Sequence, residues 1–268
     1  MIEPWMYPEI TPRVRDTIKR RYEILPYIYN LGLESHFYAS PPQRWVGWGY
    51  ECDPEVWSKR LKRGEEQFWF GETILVGGVY QPGVSTAKLY LPRKADEFDY
   101  GYVNINAPYT YFAAGQWVDV PAEWKESIAL LAKIGGAIPV GKAVSTRVPG
   151  DETPAALAIE EVDDYRGVEI FPPRGSSHGR VFKNTWMEDD GISLQQKVST
   201  YEISYESTDD RVIVGFKKDE SSGFVPAWKD LDIVLHVGDT RRVVSDIGKT
   251  VDYKGADARG REVYTLRY

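Results

Sequence analysis

Glu66-Gln67-Phe68-Trp69-Phe70-Gly71-Glu72-Thr73-Ile74-Leu75-Val76-Gly77-Gly78-Val79-Tyr80-Gln81-Pro82-Gly83-Val84-Ser85-Thr86-Ala87-Lys88-Leu89-Tyr90-Leu91-Pro92 is the stretch on which the reading of this chain turns. Two apolar, strand-like runs, Thr73–Tyr80 and Ala87–Leu91, flank a turn at Pro82-Gly83. Gly77-Gly78 falls inside a strand pattern, which marks a bulge or a close approach. Before this stretch the chain reads helical; after it, nearly all reads as strand.

Upstream, Thr11 reads as an N-cap with Pro12 at the first helical position. Val14, Ile18, Tyr22, Leu25, Ile28 and Tyr29 recur at helical spacing and predict one amphipathic helix to about Phe37, kinked at Pro26. Arg13, Arg15, Lys19, Arg20 and Arg21 form its wet side. Tyr38–Glu51 reads as a loop, and Asp53-Pro54-Glu55 opens a short helix through Lys62.

Downstream, a first β-unit spans Phe68–Val148. Its strands are Thr73–Tyr80, Ala87–Leu91, Tyr102–Ile105, Gly115–Val120, Ile128–Ile134 and Ala137–Val140. A turn-rich boundary at Pro149–Pro154 precedes a second unit, with strands at Ala156–Ile159, Val168–Phe171, Gly179–Met187, Val198–Ser207, Arg211–Lys217, Asp230–His236, Arg241–Val244 and Arg261–Arg267. Strands of this length between short polar turns predict sandwiches. The fold class is mainly β, with an N-terminal helical segment.

Length and composition suit this. The 268 residues allow two domains, and 42% hydrophobic with 27% charged residues is an ordinary globular balance. A net charge of −7 and one short basic run, Lys59–Arg63, argue against nucleic acid as a partner. No apolar run reaches membrane-spanning length, and Met-Ile-Glu-Pro-Trp does not read as a signal peptide. The single cysteine, Cys52, excludes an internal disulfide and a multi-cysteine zinc site.

The chemistry-bearing residues are scattered. His36, His178 and His236 stand far apart and suggest no metal site. Acidic doublets occur at Glu65-Glu66, Glu160-Glu161, Asp163-Asp164, Asp189-Asp190 and Asp209-Asp210. Neighbours on a strand face opposite ways, so a doublet does not make the facing pair that glycoside cleavage needs. Asp189-Asp190-Gly191 reads as a turn. Neither a Gly-x-Ser-x-Gly elbow nor a glycine-rich phosphate loop occurs. Aromatic content is high, with 9 Trp and 18 Tyr. Such rings fill β-cores and also stack on sugars. The Trp45, Trp48, Tyr50, Trp57 cluster is open to both readings, interdomain packing and ligand contact.

Six blocks in one order resemble glycoside hydrolase family 31, the α-glucosidase family. Glu3-Pro4-Trp5 is similar to its Glu-Pro-Trp/Tyr segment, and Arg21 through Tyr29 to its Arg-Tyr-x-Leu-Leu-Pro-Tyr-x-Tyr helix. Glu65-Glu66-Gln67-Phe68, Ile74-Leu75-Val76, Pro82-Gly83 and Tyr90-Leu91-Pro92 follow the start of its proximal β-domain. Gly115–Asp119, Ile134–Pro139 and Gly179–Gly191 resemble further blocks. Ser40–Trp48 departs from the family's Thr-Pro-Val-Met-Arg-Pro-Leu; Arg44 alone is kept.

The resemblance implies residues 1–64 as the helical tail of a (β/α)8 barrel, 65–150 as a proximal and 151–268 as a distal antiparallel β-sandwich. It implies a C-terminal part of an enzyme that hydrolyses α-glucosides with retention, with its catalytic aspartates on barrel strands upstream of Glu3. The chain alone is then expected to be inactive. No residue here matches nucleophile or acid/base, and neither cofactor nor metal is expected. Partners would be the barrel portion and an α-glucoside or oligosaccharide, with Arg44, Trp45 and Trp48 as candidates for substrate contact. By family likeness the secretory pathway is one compartment. Two other readings stay open: a non-catalytic carbohydrate-binding accessory subunit, and an α-xylosidase or transglycosylase specificity.

Overall fold

A computed structural model describes residues 6–95, 99–123, 128–143, 163–194, 197–219, 221 and 223–268. The predicted strand Ala156–Ile159, the Pro149–Pro154 boundary and the Glu3-Pro4-Trp5 block lie outside the described residues.

Two helices open the described chain: α1, Thr11–Glu23, and α2, Leu25–Tyr38. They correct the expectation of one kinked helix. Pro26 sits in the first turn of α2, where its missing N–H costs nothing, so a new helix starts there. Ile10 is the N-cap of α1; the Thr11 hydroxyl donates instead to Tyr7 O at 3.3 Å. The break resets the helical phase. α2 buries Tyr27, Asn30, Leu31 and Leu33, whereas the expected stripe, Val14 through Tyr29, stays partly or fully open.

The first β-layer has strand order β1-β2-β3-β8-β5-β6: β1 Gln43–Trp45, β2 Gln67–Phe70, β3 Ile74–Gly77, β8 Ala129–Lys133, β5 Tyr102–Asn104 and β6 Tyr111–Phe112. Every pairing within it is antiparallel. A two-stranded ribbon, β4 Thr86–Leu91 with β7 Gln116–Pro121, forms a separate sheet. Thus the two runs flanking Pro82-Gly83 do not pair with each other. Trp69, Leu75 and Leu131 meet Leu89, Leu91, Val118 and Val120 in one apolar core. Gly77 makes this possible: a Cβ there would lie 2.2 Å from Leu89 Cδ2.

A second sandwich follows. Its five-stranded sheet runs β16-β17-β14-β10-β9: β16 Val251–Ala256, β17 Glu262–Leu266, β14 Leu231–Leu235, β10 Arg166–Ile170 and β9 Ala137–Val140. Its four-stranded sheet runs β11-β12-β13-β15: β11 Phe182–Glu188, β12 Ser199–Ser207, β13 Arg211–Asp219 and β15 Arg242–Ser245. Both sheets are mainly antiparallel, with β10·β14 and β13·β15 parallel. The sequence pattern places β9 with the first unit, but its backbone pairs with β10, from Ala137↔Ile170 to Val140↔Gly167. Trp186, Tyr201 and Tyr205 pack against Ile170, Ile233 and Leu266 between these sheets.

A third core joins the units. Tyr27 and Leu31 of α2 pack with Ile74, Val103 and Ala132 of the first sheet and with Ile138, Val140 and Val234 of the second. The Tyr27 hydroxyl donates to Phe70 O at 2.7 Å, and Met187 N–H donates to Asn30 Oδ1 at 2.8 Å. The buried polar groups of α2 therefore bond one β-unit each.

Candidate functional site

The residues singled out for substrate contact sit at one edge of the first sheet. β1 pairs with β2 in the register Arg44↔Trp69. Arg44 is 3% exposed. Its Nε donates to Pro41 O at 2.9 Å, Nη2 to Glu34 Oε2 at 2.7 Å and Nη1 to Glu72 Oε1 at 3.1 Å. The guanidinium thus ties α2 to β1 and to the β2–β3 turn. The Trp45 indole N–H donates to Leu61 O at 3.0 Å, and its ring lies where a Cβ on Gly47 would be, 2.3 Å away. Trp48 is 44% exposed, with the Arg44 guanidinium 5.8 Å from its ring centre.

The other members of the aromatic cluster divide between core and surface. Tyr50 is buried and stacks on Trp69, centroids 5.6 Å apart and planes 7° from parallel. Trp57 is exposed, fixed by an indole N–H bond to Glu51 O at 2.9 Å and by contact with Trp45 at 4.8 Å. The cluster therefore exposes Trp48 and Trp57, with Trp45 and Tyr50 packed beneath.

A second feature was not read from the sequence. Arg20, placed on the wet side, enters a buried ion network where α1 meets the second sandwich. Its Nη2 donates to Glu169 Oε2 on β10 at 2.5 Å, and its Nη1 lies 2.9 Å from Glu23 Oε2. Arg261 joins from the turn before β17: Nη1 to Glu169 at 3.0 Å, Nη2 to Asp257 at 2.7 Å and to Glu23. Burial opposes charge on Arg20, but Glu169 and Glu23 outweigh it and raise its pKa. Burial would also raise Glu169; Arg20 and Arg261 reverse that and hold its carboxyl below the ordinary value. Charged residues at helical spacing look solvated in sequence, and a partner 149 residues away leaves no local signal.

Several members of the acidic doublets are held in turns or ion pairs. Asp189 Oδ1 accepts from Gly191 N–H at 2.8 Å and from the Tyr29 hydroxyl at 2.5 Å. Asp190, bonded by the Ser193 hydroxyl and backbone N–H groups, is held down at about 2. This is the expected turn. Glu66 pairs with Arg60, Asp163 with Arg166, and Asp210 accepts from Thr208. Glu160-Glu161 lies outside the described residues. His36 and His178 are exposed, His236 is buried, and the described residues hold no group of three His, Cys, Asp or Glu suited to a metal.

A third feature is open apolar surface. Ile10, Val14 and Ile18 of the α1 segment face Val79, Ala122 and Ile128 across a groove of about 300 Å³. No apolar side chain of α1 is fully buried.

The chain as a whole has known relatives. Residues 39–138 match the model of the glycosyl hydrolase family 31 C-terminal domain. A probable glucan 1,3-alpha-glucosidase of Arabidopsis thaliana is 33% identical over 180 residues, 65% of this chain and 18% of that protein. Alpha-glucosidase 2 of Bacillus thermoamyloliquefaciens is 24% identical over 251 residues, 91% of this chain and 28% of that protein. The fold is that of part of the GH31 dextranase of Flavobacterium johnsoniae, solved with isomaltotriose: TM-score 0.70, 20% identity, covering 94% of this chain and 31% of that one. The chain spans 18% and 28% of the lengths of these two curated relatives. The matched region, the order of the sequence blocks and the paired sandwiches identify the chain as a C-terminal portion of glycoside hydrolase family 31.

Proposed function

We propose that this chain forms the closing helical segment and the two β-units of a family 31 enzyme that hydrolyses α-glucosidic bonds with retention. The nucleophile and acid/base carboxylates would stand on a (β/α)8 barrel that the described residues do not include. In this reading 1–64 is the barrel's helical tail, 65–150 the proximal and 151–268 the distal sandwich. The supporting observation is the uncovered apolar face of α1, with Val14 and Ile18 over a groove of about 300 Å³. A barrel packed there would remove that surface from water.

The reading assigns the chain a scaffolding role: it seats the barrel and carries Arg44, Trp45 and Trp48 toward the substrate entrance. The purified chain should not turn over an aryl α-glucoside, while the barrel-containing enzyme releases the α-anomer, seen by NMR. Turnover by the isolated chain, surviving repeated purification, would overturn the assignment. The exposed Trp48 and Trp57, the latter held by Glu51 O, favour a second reading, a carbohydrate-binding accessory subunit. A stable, monodisperse chain that binds oligosaccharide and associates with no barrel would decide for it.

A further inference from the structure

Asn30, in the second turn of α2, is 2% exposed and uses both ends of its side-chain amide. Its Oδ1 accepts from the Met187 N–H of β11 at 2.8 Å, and its Nδ2 donates to Glu34 Oε1 at 2.8 Å. A backbone N–H can only donate, so the amide has one orientation, oxygen toward the second sandwich and nitrogen toward Glu34. The other Glu34 oxygen, Oε2, accepts from Arg44 Nη2 at 2.7 Å. The Arg44 guanidinium in turn lies 5.8 Å from the Trp48 ring centre. Polar contacts thus run without a break from β11 to the edge of the first sheet.

The β11 end of this path is fixed. Met187 stands between Trp186 and Glu188, and the Glu188 carboxylate accepts from the indoles of Trp186 at 2.8 Å and Trp228 at 3.0 Å and from Arg166 Nε at 2.7 Å. The far end depends on the path. Arg44 Nε is held by Pro41 O, and its two carboxylate partners differ: the Glu34 side chain is 23% exposed, that of Glu72 73%. Glu34, the less solvated and the one bonded from behind, is the stronger restraint. The Trp48 indole N–H makes no hydrogen bond among the described residues, so its ring is oriented by contacts, that with Arg44 among them.

We infer that Asn30 is a positioning residue: it holds Glu34 on Arg44 and thereby sets the Trp48 ring, so that this exposed sheet edge takes its geometry from the second sandwich.

The test is 19F NMR of the full chain labelled with 5-fluorotryptophan, the Trp48 signal being the one that W48F removes. Asn30→Asp keeps the volume and the bond from Met187, but sets a like charge against Glu34 in place of a donor. The Trp48 signal should shift or broaden, while that of Trp117, bonded to Glu55 at 3.0 Å, stays in place. Glu34→Gln breaks the same path, because its amide sets a donor against either Asn30 Nδ2 or Arg44 Nη2. In N30D/E34Q the order returns: the introduced amide donates to the introduced carboxylate and accepts from Arg44. The Trp48 signal of the double variant should lie nearer wild type than that of either single one, a reversal that two independent losses of packing do not produce. Should N30D fail to fold, E34Q, at a part-exposed side chain, carries the comparison with the double variant. An unmoved Trp48 signal in the single variants, or additive displacement in the double one, would overturn the inference.

A kinetic arm rests on the proposed reading that Trp48 meets substrate. In the barrel-containing enzyme N30D should raise KM for maltotriose about threefold or more with kcat little changed, and N30D/E34Q should restore it. A Trp48 signal displaced in N30D and restored in the double variant, with KM unchanged, supports the inference and counts against Trp48 as a substrate contact.

Discussion

Arg20, on the third turn of α1, donates to Glu169, in the middle of β10, at 2.5 Å and across 149 residues of sequence. The Glu169 side chain is 4% exposed and also receives Arg261. One carboxylate therefore serves two guanidinium groups inside the joint between helices and second sandwich. Removing its charge leaves Arg20 with Glu23 alone and Arg261 with Glu23 and Asp257. Breaking a buried pair from one side costs about 3–5 kcal/mol, far more than forming it contributes. We expect Glu169→Gln to lose stability of that order in urea unfolding. Arg267→Ala, which removes a pair whose side chains are 56% and 40% exposed, should cause no resolvable loss.

The same network sets an acid limit. Glu169 has a folded pKa below its ordinary 4.5, and Asp257 one below 3.8. Burial pushes both upward, but Arg261 beside each, with Arg20 beside Glu169, outweighs it. A depressed carboxylate pKa contributes stability that is present above the unfolded value and lost as pH falls through the folded one. The melting temperature should therefore drop as pH is lowered below about 4.5, and the drop should be shallower in Glu169→Gln. An identical pH profile for the variant would remove Glu169 from this account.

Arg44 and Trp48 separate packing from contact with substrate. Arg44→Met takes the cation from Glu34, which keeps its bond from Asn30, and frees Pro41 O, and should cost about 1–3 kcal/mol. Trp48→Ala should change stability by no more than about 0.5 kcal/mol, as for other exposed sites. In the barrel-containing enzyme, Trp48→Ala should raise KM for an oligosaccharide more than for an aryl monoglucoside. Unchanged KM for both would dismiss Trp48 as a contact.

Gly77→Ala tests the sheet spacing. The added Cβ would meet Leu89 Cδ2 at 2.2 Å and Cδ1 at 2.8 Å in a fully buried position, so the ribbon must shift or Leu89 must change rotamer. Overpacking of this kind costs about 1–3 kcal/mol. Combining it with Leu89→Ala should recover part of the loss, as thermal unfolding of the double variant would reveal.

Ile18→Glu tests the open face of α1. Ile18 is 46% exposed beside the groove, so the charge should leave folding intact and reduce self-association of the isolated chain. Light scattering of both forms at equal concentration makes the comparison. The same change should weaken the fit of any barrel portion to this edge.

Local rules carried much of the strand map. Ala137–Val140 and the run ending at Leu91 emerge with the expected limits or within one residue, because apolar strands between turn residues are a short-range pattern. β1, β6 and β16 escaped that pattern. β1 places a buried arginine at its centre, β6 has two residues, and β16 is an exposed edge with Gly255 near its end. The kink at Pro26 was legible as an interruption, but its outcome, a second helix with a rotated buried face, depended on what α2 meets.

The sequence by itself determined the mainly β class, the helical opening, the turn at Asp189-Asp190-Gly191 and the likeness to family 31. All of these are fixed by residues near one another in the chain. Only the tertiary structure decided that the runs flanking Pro82-Gly83 belong to different sheets, that β9 crosses to the second sandwich, and that Arg20 shares the buried Glu169 with Arg261. Pairing partners and compensation of buried charge arise from contacts between distant segments. Side-chain type permits such contacts, but only the packed fold selects them.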